Sequence, residues 1–455
     1  MVHQFCFKGI NIIVDTESGA VHIADEITYD LCEILTPPLF EACPEHAYKA
    51  LSEKYGRYEV TDAYGELYSL YKAGELFSEE YKGPDSKIPL TGAPIKALCL
   101  HVSHDCNMRC GYCFAKTGDF GTGRNIMDFE TAKRAIDFVI ERSGKRRNIE
   151  IDFFGGEPLM AFDTVKKTVE YARGFEKKCD KVFRFTITTN GLLLDEENTD
   201  YINREMSNVV LSLDGRREIN DKIRKTVNGE GTFDAIVPKM QRLVKLRNKN
   251  KDHYIRGTFT KENVDFCSDI EEMLSLGFRN LSMEPVVLKG KGPYPLSEAE
   301  LPRIYEEYER LCDLLLSKEN TDQEFLFFHF MIDLDQGPCI LKRMRGCGAG
   351  FEYVAVTPEG DIYPCHQFVG HQEYKLGNLY QNTFDFALSD TFAGINLKTR
   401  SGCSECWAKY YCGGGCSASN LTVNGDTAKP YELGCKLERK RVECAIYLKA
   451  RRMMG

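Results

Sequence analysis

The sequence predicts an α/β protein whose main unit is a curved parallel sheet, a partial (β/α)6 barrel. The first reason is a change of pattern at Ile95, after which apolar strand-like runs alternate with amphipathic helical segments. Such alternation is typical of parallel sheets, and about six strand–helix units make a partial barrel plausible. The second reason is the length of 455 residues, which suggests about three domains. Strands followed by helices precede the central unit, and a Cys- and Gly-rich region follows it.

The composition excludes several classes of protein. Acidic residues outnumber basic ones 68 to 59, for a formal charge of −9, whereas a general nucleic-acid binder normally carries a basic balance. No apolar run approaches the roughly 18–20 residues that span a bilayer, and the N-terminus lacks the layout of a secretory signal. We therefore expect a cytoplasmic protein without nucleic-acid or membrane partners. Its 19 cysteines then indicate metal or redox chemistry rather than disulfides.

Residues 1–85 form the first predicted domain. Short strands precede three helical patterns, EITYDLCEIL, EHAYKALSEKY and DAYGELYSLYKAGELF, and the third is expected to begin at Thr61-Asp62. A Pro- and Gly-rich stretch follows, so residues 86–94 are predicted to be a linker that makes the first domain separable.

Residues 95–310 form the predicted barrel. Its expected strands, in order, are KALCLHVS, NIEIDFFGG, FRFTITTNG, NVVLSLDG, IRGTFT and NLSMEPV. Residues 311–340 are predicted to be a helical bridge, and residues 341–455 a Cys-rich domain with few long periodic segments. The basic run KLERKRVECAIYLKARR near the end predicts a helix with a solvated face.

A loop with three cysteines follows the first predicted barrel strand. Cys106, Cys110 and Cys113 lie at the end of a strand where α/β proteins build their sites. Three thiolates at this spacing can hold three corners of a cubane iron–sulfur cluster and leave the fourth iron open. A structural zinc ion would need a fourth ligand, and the nearby His101 and His104 keep that alternative open.

The loop resembles the signature of the radical SAM superfamily, a C-x3-C-x2-C pattern with an aromatic residue, here Tyr112, before the last cysteine. The resemblance implies that the three cysteines are catalytic and hold a 4Fe–4S cluster whose open iron binds S-adenosyl-L-methionine. It also implies that an electron from the cluster cleaves this cofactor to a 5′-deoxyadenosyl radical.

Two further motifs of the superfamily follow, each at the end of a predicted strand. Gly155-Gly156-Glu157-Pro158 resembles the GGEP motif, which implies that its backbone carbonyls and carboxylate receive the methionine ammonium group. Thr188-Thr189-Asn190-Gly191 resembles the third-strand motif, which implies that Thr188 and Asn190 contact the ribose and methionyl groups.

The fourth strand carries a pattern that resembles peptide-modifying members of the superfamily. Ser212-Leu213-Asp214-Gly215 is followed by Asp221-Lys222-Ile223-Arg224. The resemblance implies that Ser212 and Arg224 clamp the carboxylate of the cofactor and that Asp214 is a catalytic residue lining the substrate face. Asn220 stands where the family often has a histidine, which leaves the catalytic role in question.

The C-terminal domain carries a second, longer cysteine array, which resembles the SPASM domain. That resemblance implies two auxiliary 4Fe–4S clusters. Four thiolates would hold one cluster, and three would hold the other, nearer the barrel: Cys403, Cys406, Cys412 and Cys435 for the first, and Cys347, Cys365 and Cys416 for the second. Cys339 and Cys444 are expected not to be ligands, so that one iron of the three-thiolate cluster is open to a substrate sulfur. Zinc knuckles and inert thiols remain as alternatives.

The first domain resembles a RiPP recognition element, which implies a winged-helix-like peptide-recognition domain. In that family a leader peptide adds a strand to an exposed sheet edge and packs against a helix. The resemblance implies that residues 1–85 bind the leader of a ribosomal precursor peptide, although a purely structural N-terminal cap remains possible on the residues alone.

Taken together, the three segments resemble a radical SAM/SPASM peptide maturase of the SCIFF sactisynthase group. This implies a thioether between a cysteine sulfur and the α-carbon of another residue, with flavodoxin or ferredoxin as reductant. Three alternatives stay open: an anaerobic sulfatase-maturase that forms formylglycine, a maturase that forms carbon–carbon crosslinks, and a non-catalytic iron–sulfur electron carrier.

Overall fold

The computed structural model describes residues 1–80, 93–334 and 340–454. Most of the predicted linker at 86–94, together with Cys339, therefore lies outside the described residues. No helix within the described ranges has the length and apolar character that a bilayer crossing requires.

The N-terminal domain is a three-stranded antiparallel sheet with three helices, as expected. Its elements are β1 (Val2–Phe7), β2 (Ile10–Asp15), β3 (Val21–Ala24), α1 (Glu26–Ile34), α2 (Glu45–Leu51) and α3 (Arg57–Ala73). Strand β2 lies in the middle, so β1 and β3 are the two edges. Helix α3 begins four residues before the predicted Thr61, because the Glu59 carboxylate accepts the Gly56 N–H at 2.8 Å and caps an earlier turn.

The second domain is the predicted partial barrel, built on six parallel strands in the order β4-β6-β7-β8-β10-β11. In chain order its elements are β4 (Ala97–Ser103), β5 (Met108–Cys110), α4 (Phe129–Arg142), β6 (Asn148–Gly155), α5 (Phe162–Cys179), β7 (Val182–Thr189), α6 (Glu196–Glu205), β8 (Asn208–Ser212), α7 (Arg217–Ile223), β9 (Arg224–Thr226), α8 (Phe233–Leu246), β10 (Asp252–Phe259), α9 (Phe266–Ser275), β11 (Asn280–Pro285), α10 (Leu301–Lys318) and β12 (Leu326–Phe327). The strand side chains alternate between fully buried and half-buried, because one face packs on the helices.

The predicted helical bridge at 311–340 is wrong in its second half. Helix α10 ends at Lys318, and β12 then pairs in parallel with β11 at the edge of the barrel sheet. The short strand was missed because two paired residues leave no periodic pattern in the sequence.

The C-terminal domain continues the barrel sheet instead of forming a separate layer. Strand β13 pairs in parallel with β4, and three antiparallel strands extend the sheet beyond it. The elements are α11 (Ile340–Arg343), β13 (Tyr353–Val356), β14 (Asp361–Tyr363), β15 (Gly377–Asn378), β16 (Thr383–Phe384), α12 (Phe386–Gly394), α13 (Lys409–Cys412), α14 (Ser417–Asn424) and α15 (Glu432–Met453).

The last helix, α15, is the predicted helix, and more of it is buried than its basic composition suggested. It packs on α10 and on the N-terminal sheet, and Val442, Cys444 and Ile446 are buried. The Phe7 ring stacks on Tyr447 with centroids 4.3 Å apart, and Lys440 lies 4.5 Å from the same Phe7 ring. Lys440 thus places its charged Nζ over an aromatic ring, a contact that a charge count does not reveal.

The N-terminal domain packs on the rest of the chain, although a predicted linker follows it. One face of its sheet packs on α1 and α3 through Ile13, whereas Ile12 and Val14 belong to the core shared with the barrel and α15. The turn after β2 adds a buried ion pair between Glu17 and Lys409 at 2.7 Å. Residues 1–80 therefore share their packing with both other domains.

Candidate active site

The three-cysteine loop is held by a two-stranded ribbon that the sequence did not reveal. Strand β5 carries the loop and pairs antiparallel with β9, which sets Cys110 opposite Arg224. The Met108 N–H donates to the Cys106 sulfur at 3.4 Å. A Cβ on Gly118 would come within 2.6 Å of the Cys106 Cβ, so only glycine allows this turn.

The two glycines of the GGEP motif bring β6 against the backbone before the cysteine loop. The Gly156 N–H donates to the Ser103 carbonyl at 2.7 Å. A Cβ on Gly155 or Gly156 would collide with the carbonyl oxygen of Ser103 or Asp105, respectively. Glycine is therefore required at both positions, and Pro158 opens the short helical turn that follows.

The Glu157 carboxylate joins the second motif to the third. It is 1 % exposed and accepts hydrogen bonds from the Thr189 hydroxyl at 2.7 Å and from the Asn190 N–H at 2.8 Å. Asn190 in turn donates to the Asn107 side chain at 2.8 Å and lies 3.7 Å from the Cys106 sulfur. The carboxylate expected to receive a ligand ammonium group thus also sets the position of the loop around Asn190.

Tyr112, Asp214 and Arg224 form a buried hydrogen-bonded group beside the cysteine loop. The Tyr112 hydroxyl donates to Asp214 at 2.8 Å and accepts from Arg224 at 2.8 Å. Asp214 also accepts the Thr258 N–H at 3.1 Å and is 0 % exposed. Burial raises the pKa of Asp214, while the Arg224 charge opposes the rise. Asp214 is therefore buried and held by Tyr112, Thr258 and the nearby Arg224, and its place on the substrate face stays a prediction.

Arg224 retains a donor for a ligand. Its buried Nε–H has no hydrogen-bond partner among the described residues, and a buried donor without a partner is costly unless a ligand or water satisfies it. Ser212 and Thr188 lie half-buried on the neighbouring strands β8 and β7. They share the face opposite Leu211 and Ile187, which pack into the core. The donor set therefore fits a carboxylate-bearing cofactor.

The three loop thiols are mutual neighbours. Burial raises the pKa of Cys106 to about 12, and the Glu157 carboxylate and the Cys110 and Cys113 thiols add to the rise. Among the described residues, no three His, Cys, Asp or Glu side chains converge closely enough to hold a single metal ion.

Several of the C-terminal thiols lie near one another in the structure. Burial is the main cause of the raised pKa of Cys365, and the neighbouring Cys416 and Cys347 thiols raise it further. Burial also raises the pKa of Cys435 to about 11, and Glu432 and the Cys403 and Cys406 thiols contribute.

Cys412 is predicted to hold the same cluster as Cys435. Burial raises its pKa to about 12, with further contributions from Glu438 and Cys435. The glycine run from Gly413 to Gly415 has φ angles of 71°, 91° and 72°, which let the chain turn sharply between Cys412 and Cys416. The fold thus brings Cys412 near Cys435, and the assignment of the thiols to individual clusters stays a prediction.

Comparison with known proteins identifies the family. The family model of the radical SAM superfamily matches residues 100–273, and the model of the SPASM iron–sulfur cluster-binding domain matches residues 347–407. An uncharacterised protein of Methanocaldococcus jannaschii is 30 % identical over 223 residues, which cover 49 % of this chain and 71 % of that protein. The chain belongs to the radical SAM superfamily. Its cofactors are therefore S-adenosyl-L-methionine and 4Fe–4S clusters, one at the radical SAM site and others auxiliary.

Two other relatives of this radical SAM protein have named functions. The cysteine-type anaerobic sulfatase-maturating enzyme of Clostridium novyi is 26 % identical over 347 residues, 71 % of this chain and 87 % of the enzyme. The Bacillus subtilis protein AlbA, of antilisterial bacteriocin subtilosin biosynthesis, is 22 % identical over 409 residues, 84 % of this chain and 82 % of AlbA.

Solved structures show the same fold. The enzyme anSMEcpe with bound AdoMet and a Cp18Cys peptide has a TM-score of 0.64 at 22 % identity, covering 79 % of this chain and 99 % of that one. SuiB of Streptococcus suis with S-adenosylmethionine has a TM-score of 0.53 at 17 % identity, covering 92 % of this chain and 95 % of that one. The radical SAM fold expected from the sequence is confirmed.

Proposed function

We propose that this radical SAM protein is a sactisynthase, which joins a cysteine sulfur to an α-carbon within a ribosomally made, Cys-rich peptide. The observation that carries the proposal is that Cys365 lies near Cys347 and Cys416, whereas Cys435 lies near Cys403, Cys406 and Cys412. The group of Cys347, Cys365 and Cys416 lies beside the barrel. Burial and Asp152 are the main causes that raise the pKa of Cys99 on β4, and the nearby Cys365 thiol adds to them. Three protein thiolates on a four-iron cluster would leave one iron open to a substrate sulfur.

Different residues of the chain bind the cofactor and hold the binding side chain in position. When bound, S-adenosyl-L-methionine and its cluster supply the radical that removes the α-hydrogen, and an auxiliary cluster takes up one electron. Arg224 offers its free Nε–H to a carboxylate, a charge-assisted bond that fixes orientation as well as affinity. Tyr112 and Asp214 hold the Arg224 side chain in position. Asp214 thus acts as a positioning residue in this proposal.

The N-terminal domain provides a place for the leader of the precursor peptide. Strand β3 is an edge of the small sheet and faces helix α3 across a cavity of about 480 Å³. An extended peptide can pair with such an edge through its main chain while its side chains enter the groove. AlbA, a protein of bacteriocin biosynthesis that is similar to this chain over most of its length, supports a bacteriocin-like peptide as substrate. A reductant such as flavodoxin or ferredoxin and a cytoplasmic setting complete the proposal.

Mass spectrometry of the product tests the reaction. The reconstituted protein is incubated anaerobically with reductant, S-adenosyl-L-methionine and the precursor peptide encoded beside its gene. Each thioether removes two hydrogens and keeps the sulfur, so the peptide loses their mass and one cysteine per bond resists alkylation. The triple variant Cys106→Ala, Cys110→Ala, Cys113→Ala is the control and leaves the peptide unmodified.

The same experiment separates the alternative reactions. The likeness to the sulfatase-maturating enzyme of Clostridium novyi makes formylglycine formation the second candidate. That reaction removes the cysteine sulfur, so a product without sulfur would favour it and contradict the thioether. A product that loses two hydrogens but keeps every cysteine alkylatable would indicate a carbon–carbon crosslink.

A further inference from the structure

We propose that the groove between β3 and α3 selects a cationic, apolar segment of the leader, and that Met453 at the end of α15 forms part of its wall. This inference rests on the proposed function of the N-terminal domain. It adds the chemistry of the partner and a binding residue from the other end of the chain.

The groove has an apolar floor and an acidic rim. Its α3 side is lined by Ile13, Leu67, Leu70 and Leu76, whereas Val21 and Ile23 of the edge strand lie on the opposite face of the sheet, toward α15. Ile23 is 37 % exposed on the edge strand, where a partner strand would cover it. Asp25 and Glu66 lie at the rim. An extended peptide with alternating apolar and basic side chains would place its apolar side chains in the groove and its basic side chains at the rim.

The charge of the whole domain agrees with a cationic partner. Residues 1–80 contain 15 acidic and 5 basic residues, while the complete chain carries a net charge of only −9. The acidic excess is therefore concentrated in this domain. On α3, Glu59, Asp62 and Glu66 are three and four residues apart, which places them on one face of the helix. Such a field attracts basic peptides and speeds their association.

Met453 closes one end of the groove. It is 59 % exposed although it lines the cavity, so its side chain is available to a ligand. The neighbouring Arg452 is paired with Glu319 of the barrel domain at 2.7 Å and does not add a free positive charge to the rim. Methionine is flexible and adapts to varied apolar partners. The same helix carries Cys435 at its other end, so one rigid element reaches from the groove to the auxiliary thiols.

Fluorescence anisotropy with a labelled synthetic peptide of alternating apolar and basic residues tests the proposal on the full-length holoprotein. Glu66→Lys should weaken binding about fivefold, the size typical of one exposed charge pair, whereas Glu53→Lys, which lies outside the groove, should not. Met453→Ser should weaken binding, and Met454→Ser, one residue further along, should not. Raising the salt concentration should weaken wild-type binding and remove the difference between Glu66→Lys and wild type.

The outcomes distinguish the inference from the proposed function. If Ile23→Ser weakens binding but Glu66→Lys, Met453→Ser and added salt do not, the groove binds the leader and the cationic selection is wrong. If the wild-type protein does not bind the peptide, or Ile23→Ser binds it unchanged, leader binding by this groove is wrong as well. Circular dichroism and iron content of each variant show whether it has folded.

Discussion

Single side chains determine how closely the backbone segments of the radical SAM site approach each other. Gly155 and Gly156 let β6 touch the carbonyls of Ser103 and Asp105, and Glu157 then carries this contact on to Asn190. Asn190 reaches the cysteine loop through Asn107. The two glycine contacts require a hydrogen atom in place of a side chain. The other two contacts are made by the Glu157 carboxylate and the Asn190 amide. The site therefore tolerates little change of size.

Gly156→Ala should reduce reductive cleavage of S-adenosyl-L-methionine about 100-fold, because the added methyl group collides with the Asp105 carbonyl and displaces the loop. Gly174→Ala is the matched control. A Cβ there meets nothing within 4 Å, and alanine in the exposed face of α5 should raise the free energy of unfolding by about 0.5–1 kcal/mol. Formation of 5′-deoxyadenosine is measured in both. Unchanged cleavage by Gly156→Ala would show that the close approach is not required.

Asp152 on β6 should make stability depend on pH. Burial, followed by Glu150, raises the pKa of Asp152 from its ordinary value of 3.8 to about 7. The folded protein then holds a proton that the unfolded chain releases. The contribution of Asp152 to the free energy of unfolding should therefore be greatest below pH 3.8. It should fall as the pH rises from 3.8 to about 7, by up to about 1.4 kcal/mol per pH unit.

Asp152→Asn should remove this part of the pH dependence and make the protein more stable than wild type at pH values above 7. Urea unfolding of both proteins across the pH range measures the difference. Asp200→Asn, on the exposed face of α6, should leave the wild-type profile unchanged. An identical profile for Asp152→Asn would mean that Asp152 is ionised throughout the range.

At the scale of elements, α15 combines two functions that its sequence does not separate. Its first turns carry Cys435 beside the other auxiliary thiols, and its later turns pack on α10 and β1. Cys444 belongs to the packed part, since it is 0 % exposed and its backbone carbonyl lies 3.9 Å from the Cys312 sulfur. The two cysteines of one helix thus have different roles.

Cys435→Ala should remove one cluster's share of iron and sulfide, whereas Cys444→Ala should keep all of it and lower the free energy of unfolding by about 1 kcal/mol. Cys339→Ala, outside the described residues, is also expected to keep its iron, with and without precursor peptide. Iron and sulfide analysis of the reconstituted variants measures all three. Loss of iron from Cys339→Ala would show that the three-thiol set has a fourth protein ligand and would remove the open position for a substrate sulfur.

At the scale of the whole molecule, the N-terminal domain is attached directly to the auxiliary thiol loop. Glu17 pairs with Lys409, which lies between Cys406 and Cys412, and the Tyr410 hydroxyl donates to Glu17 at 3.0 Å. The His3 ring stacks on Trp407 with centroids 3.8 Å apart. The domain proposed to bind the leader therefore contacts the loop that carries the auxiliary thiols.

Glu17→Gln should destabilise the holoprotein by about 3 kcal/mol, because both side chains of the pair are at most 5 % exposed and Lys409 would keep a buried charge without a carboxylate partner. Lys8→Gln is the control, since it breaks the exposed pair with Asp313 and should cost no more than about 1 kcal/mol. Chemical unfolding measures both changes. Equal effects would show that the Glu17 contact does not hold the domains together.

The sequence by itself determined the local features: the cysteine spacings, the strand-end motifs and the alternation that predicts the barrel. These features lie within short stretches of chain, where the order of residues dictates which groups can meet. Tertiary structure alone decided the contacts between distant segments, such as β13 on β4, β5 on β9 and Glu17 on Lys409. It also decided that Asp214 is buried and that α15 is a packed helix, because burial depends on what covers a residue, and the covering residues are remote in sequence.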